Sequence, residues 1–223
     1  MAHKTTEKLG ADEMLKQLAS QSVQQAENLR ETVREITLQA LKTRELNLEQ
    51  IKGVLRAVTE GVNLGAATPK VDTAKAISEA WHGMDEALLK AVQASHLALE
   101  QFMSQGKEFN DTHIKQALND LGHLEEEFLN TVKQASEGAT GKVKEQWGEL
   151  LKHTKFAGTD AGHLATQTME AFQNRMTGTL RETQEASLQA AQIFAQNFAT
   201  LASGILIGMS EALQQKGQPK GKK

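Results

Sequence analysis

Residues 12–40 read DEMLKQLASQSVQQAENLRETVREITLQA. Within them Ala19, Val23, Ala26, Leu29, Val33, Ile36 and Ala40 recur at intervals of three and four, the spacing of one helix face. The stripe resumes through Ile51, Val54, Val58 and Val62, which predicts a helical arm over about 12–66. One interruption signal lies inside it: Asn47-Leu48-Glu49-Gln50 has the form of a capping box, Asn at the cap and Gln three residues later. Run through without that interruption, the arm would be about 80 Å long at 1.5 Å per residue.

The rest of the chain carries the same pattern with clearer punctuation. GAATPKVDT (residues 65–73) combines Gly, Pro and a fresh Asp/Thr cap, so a break is expected over 66–73. Further helices are expected over about 73–105, 111–137, 142–156 and 160–215, joined by QGKEFND, EGATGK and AGTDAGH. Residues 216–223, with four lysines among glycine and proline, read as a disordered basic tail. The fold class is therefore all-α: long amphipathic helices in an elongated antiparallel bundle or coiled-coil-like array, one domain over 1–215.

Composition supports that reading and removes several functions. Aromatic residues make up only 4% of the chain, so Ala, Gln, Glu, Leu and Lys carry the helices and the contacts between them are thin. A formal charge of −3 gives no general attraction to nucleic acid. The absence of cysteine excludes disulfides and thiolate metal sites, and MAHKTTEKLGADE lacks the apolar core of a secretory signal. The expected location is the cytoplasm. No cysteine nucleophile, Gly-x-Ser-x-Gly elbow or phosphate-cradling glycine loop is present, so no enzyme and no cofactor are expected.

Three acid-x-x-His pairs remain: Glu79/His82, Asp120/His123 and Asp160/His163. Each puts a carboxylate and an imidazole on one helix face. Their surroundings align without gaps about 40 residues apart, as similar helices built to similar packing rules would. Di-metal bundles use Glu-x-x-His from two helices plus a Glu from each of two others. Only Glu79/His82 has that form, so the expected reading is an ordinary i,i+3 pair and no metal site is assigned. Trp81 and Trp147 are expected as core anchors, and HLEEEF (residues 123–128) as a solvated run.

The stretch 193–213, IFAQNFATLASGILIGMSEAL, takes up most of an uncharged run that starts after Glu185 and ends before Glu211. On a helical wheel Phe194, Phe198, Leu201, Ile205, Met209 and Leu213 form one stripe, opposite Gln192, Gln196, Thr200, Ser203 and Ser210. Gln192, Gln196 and Asn197 would enter hydrocarbon and no basic cluster flanks the N-terminal side, so no transmembrane span is expected. Its polar side also lacks the Lys and Arg of helices that lie on anionic lipid. Gly204 and Gly208 sit inside the apolar helix at the four-residue spacing of close helix approach. A neutral apolar surface or partner helices are the expected contacts, with homo-oligomer formation.

Glu45-Leu46-Asn47-Leu48-Glu49 resembles the Glu-Leu-Asn-Leu stretch in the first helices of phasins, the amphipathic proteins that coat bacterial polyhydroxyalkanoate granules. The following EGVNLGA (residues 60–66), the Ala/Gln-rich helices, the lack of cysteine and the lysine-bearing tail fit the same family. The resemblance implies a non-enzymatic, granule-associated coat protein that binds the apolar polymer through amphipathic helices. GILIG and the acid-x-x-His pairs are not phasin features. The alternatives are a soluble helical scaffold or homo-oligomerising coiled-coil protein, and a metal-binding helical bundle.

Overall fold

A computed structural model describes residues 2–44, 47–104 and 112–176. Among them are seven helices and no strand: α1 (Ala2–Gln25), α2 (Leu29–Lys42), α3 (Leu48–Ala66), α4 (Thr73–Ser104), α5 (Thr112–Glu137), α6 (Gly141–Ala157) and α7 (Asp160–Met176). The fold is all-α. The expected breaks at 66–73, 137–142 and 157–160 fall between helices. The expected loop at 105–111 and the tail at 216–223 lie outside the described residues.

The arm over 12–66 divides into three helices, and the first begins at Ala2 rather than near Asp12. Asn47 caps α3 as its sequence suggests, its Oδ1 accepting the Gln50 N–H at 3.0 Å. A second cap interrupts the continuous apolar stripe. Asn28 Oδ1 accepts the Glu31 N–H at 3.4 Å while Asn28 Nδ2 donates to Glu31 Oε2 at 3.0 Å. The chain reverses there, because α1 and α2 each bury their part of the stripe against a different neighbour.

Consecutive long helices are antiparallel. Arg44 at the end of α2 returns to pair with Asp12 in α1. Thr73 Oγ1 donates to the Ala66 carbonyl, and Thr59 in α3 lies beside Met84 in α4. The hairpins then stack with like helices parallel. Lys16 pairs with Glu60 at 3.1 Å, Ala19 meets Gly61 and Val23 meets Gly65, so α1 and α3 climb together. In the same way Lys52 pairs with Glu127 at 3.2 Å and Asn63 Nδ2 donates to the Ala135 carbonyl at 2.9 Å, setting α5 parallel to α3. The second layer places α4 between α2 and α7: Gly83 meets Val33, Asp85 reaches the start of α7, and His96 meets Phe172 further along.

The core runs between the layers through Val54, Val58, Val62, Met84, Leu88 and Phe128. Trp81 of α4 stacks on Phe128 of α5 with ring centroids 4.4 Å apart and planes 8° from parallel. Trp147 of α6 is buried too, and its Nε1 donates to Asn63 Oδ1 at 2.7 Å. Both tryptophans are the core anchors that the sequence leads one to expect.

Candidate functional site

The densest polar arrangement lies where α4 and α5 meet the start of α7. A helix leaves its first N–H groups without intrahelical acceptors. Here each is taken up. Glu125 Oε1 accepts from Thr159 at 2.8 Å, Asp85 Oδ2 from Asp160 at 3.1 Å and Asp85 Oδ1 from Ala161 at 3.0 Å. Thr159 Oγ1 accepts from Gly162 at 2.9 Å. A helix N-terminus attracts anions, and two carboxylates from neighbouring helices already occupy this one.

Asp85 is only 7% exposed. Burial raises its pKa above the usual carboxylate value, and the charge of Asp160 acts in the same direction. The N–H groups of Ala161 and Asp160 and the nearby His82 oppose the shift. Glycines permit the approach on the other side. A Cβ on Gly162 would stand 2.5 Å from Glu125 Cδ. Gly158 ends α6 at φ 77°, a left-handed conformation that disfavours any side chain.

The acid-x-x-His pairs do not assemble. Glu79 and His82 lie on α4, Asp120 and His123 on α5, Asp160 and His163 on α7. All three histidines are exposed. Asp120 accepts the Leu48 N–H at the start of α3; burial raises its pKa, while that bond and His123 lower it. Asp160 is the first residue of α7, not its cap, which is Thr159. His163 Nε2 lies 3.3 Å from the Ala157 carbonyl. Among the described residues no group of three or more His, Asp or Glu could hold a metal ion. The 40-residue echo therefore spans both layers and repeats no single structural unit.

Two readings of sequence change with the fold. HLEEEF is solvated only in part, since Leu124 and Phe128 are core and Glu125 caps α7. Gly61 and Gly65, whose spacing near a helix end suggests no more than a turn, form a contact surface. A Cβ on Gly61 would lie 2.3 Å from the Lys16 carbonyl oxygen, and one on Gly65 2.6 Å from Val23 Cβ. Gly83 serves α2 in the same way: a Cβ there would lie 2.5 Å from the Arg30 carbonyl oxygen.

Asp85, Glu125, Thr159, Asn63 and Asn28 carry no signal that marks them as joints, apart from the Asn28/Glu31 spacing of a capping box. A groove of about 510 Å³ opens between the start of α4 and α6, lined by Ala74, Ile77, Gln146, Leu150 and His153 among others. The stripe Phe194, Phe198, Leu201, Ile205, Met209 and Leu213, with Gly204 and Gly208, lies outside the described residues. Among the described residues no helix is long and apolar enough to cross a membrane.

Fold and joints together define an all-α protein of stacked helical hairpins, clamped by carboxylates at helix starts. The chain belongs to DUF6781, a family of unknown function whose model matches residues 4–215. No curated protein and no solved structure matches it.

Proposed function

We propose that this is a non-enzymatic binding protein of the granule-coat type, a helical body that brings an uncharged amphipathic segment to an apolar surface. One observation carries the reading. The carboxylates inside the fold on which acid–base or metal chemistry could rest, the buried Asp85 and the half-buried Glu125, are bound to the backbone at the start of α7. What remains for recognition is the apolar stripe Phe194, Phe198, Leu201, Ile205, Met209 and Leu213. The phasin-like stretch at residues 45–49 and the lack of basic residues across 186–210 favour a neutral polymer, polyhydroxyalkanoate, over anionic lipid. Adsorption would scale with apolar area at about 25 cal/mol per Å².

Sedimentation with isolated polyhydroxyalkanoate granules tests this. Wild-type protein should pellet with the polymer, and Phe198→Glu with Ile205→Glu should release most of it. Wild-type protein left in the supernatant refutes the reading.

A soluble scaffold that self-associates is the second reading, favoured by the uncharged outer side of α1 (Gln17, Gln21, Gln25, with Met14 and Leu18 exposed). Light scattering separates the two: a defined oligomer without polymer would favour the scaffold.

A further inference from the structure

The second arm of the last hairpin is broken at Gly158 into α6 and α7, and the two halves are held differently. Both run alongside α4: Ile77 and Leu150 line one groove, Asp85 meets Asp160 and Ala161, and His96 meets Phe172. The α7 half is clamped at its start by Asp85 and Glu125. The α6 half stands off the start of α4, leaving the groove of about 510 Å³ between them. It buries a narrow stripe, Val143, Trp147 and Thr154, with Leu150 and Leu151 half-buried beside it, and its lysines and glutamates are all exposed. Ion pairs join α1 to α3, α2 to α4 and α3 to α5, and among the described residues none reaches α6. Among those residues the one hydrogen bond from an α6 side chain to another helix is Trp147 Nε1 to Asn63 Oδ1, at 2.7 Å.

Both ends of α6 have the backbone of a hinge. Gly141 and Gly158, with φ of 55° and 77°, are the positive-φ residues among the described ones. Glycine populates both signs of φ at little cost, so the chain can turn at either point with no side chain to resist. Thr140, at the cap position, gives no side-chain bond to the start of α6. Beyond the glycines, both flanks are fixed to the body. Asn63 Nδ2 donates to the Ala135 carbonyl near the end of α5, while Glu125 and Asp85 accept from Thr159, Asp160 and Ala161 at the start of α7.

We propose that α6 is a hinged strap over one end of the core. It opens as a unit about Gly141 and Gly158 when the Trp147–Asn63 bond breaks, while α5 and α7 keep their places. Opening bares Val143, Trp147 and Leu150 on the strap and Ile77 on α4, so the fold exposes apolar surface without unfolding. Segments held by few contacts open locally at a lower free energy than the whole molecule. What the bared residues meet rests on the apolar-surface reading above; the opening itself does not.

Hydrogen exchange of the full chain, without polymer, tests the opening. Amides within α6 should exchange together and at least tenfold faster than those in the middle of α4, α5 and α7. Trp147→Phe keeps a ring and loses the N–H donor. It should raise exchange in α6 about tenfold more and leave α4, α5 and α7 within about twofold of the wild type. Gly141→Ala places its Cβ in open space, so it strains only the hinge, and it should also raise exchange in α6 alone. Exchange in α6 no faster than in α5 and α7 would overturn the proposal. So would no rise in α6 in either variant, or a rise spread evenly over all the helices. Polymer is absent throughout, so failure of the granule reading would leave these results intact, and failure here would leave that reading standing.

Discussion

The first and last hairpins are held to the middle of the stack by opposite means. α1 approaches α3 through absent side chains: Gly61 and Gly65 let backbone and Cβ atoms come within contact distance of Lys16, Ser20 and Val23. α7 is held by polar bonds, with Asp85 of α4 and Glu125 of α5 taking the N–H groups at its start. A glycine contact gains dispersion and burial but no direction, and it fails through steric overlap. A capped helix start fixes direction and fails when an acceptor is lost or its charge changes. The first hairpin should therefore respond to bulk, and the last to polarity and pH.

The largest effect should come from the shared core, where both ends depend on the same packing. Phe128→Ala removes the ring stacked on Trp81 and should cost about 3–5 kcal/mol, seen as a lower urea midpoint for the whole unit. Separate transitions for the two ends would break the view that one core joins them. Gly61→Val should cost about 1–3 kcal/mol, because its Cβ would overlap the Lys16 carbonyl. Hydrogen exchange should rise in α1 and leave α7 unchanged; equal loosening of both would erase the distinction.

The smallest effect is a pH dependence confined to the last hairpin. Asp85 binds its proton more tightly folded than unfolded, since burial raises its folded pKa. Over the interval between the usual carboxylate value and the raised one, the folded state holds more protons. Its stability therefore falls as pH rises through that interval. Asp85→Asn lacks the titration, so the wild type should lose stability relative to this variant between about pH 4 and the raised folded value. Denaturant midpoints measured in parallel across that range would show it. A constant difference between the two proteins would show that Asp85 does not titrate there.

The helices themselves were largely legible. The three-four stripe marks helix, and the Asn47 cap and the breaks at 66–73, 137–142 and 157–160 each mark a boundary in the fold; all are local features. The turn at residues 26–28 was hidden, because Ala26 and Leu29 keep the apolar spacing across it. Only the Asn28/Glu31 pair signals it, and such a pair also occurs where no helix starts. The acid-x-x-His pairs stand out by their composition, while Asp85 does not and Glu125 sits in a run that reads as solvated. Nothing in their own surroundings predicts that they meet a helix start 34–76 residues away.

By itself, then, the sequence determined an all-α chain, its palette and most helix ends among the described residues. Helix formation depends on neighbours within a few residues, and those neighbours are written in order along the chain. The tertiary structure decided that the hairpins stack in two layers, that Gly61 and Gly65 are contacts, and that Asp85 and Glu125 cap α7. Those features depend on residues far apart in sequence and close in space, where a missing Cβ or a buried charge acquires its meaning only from the atoms opposite.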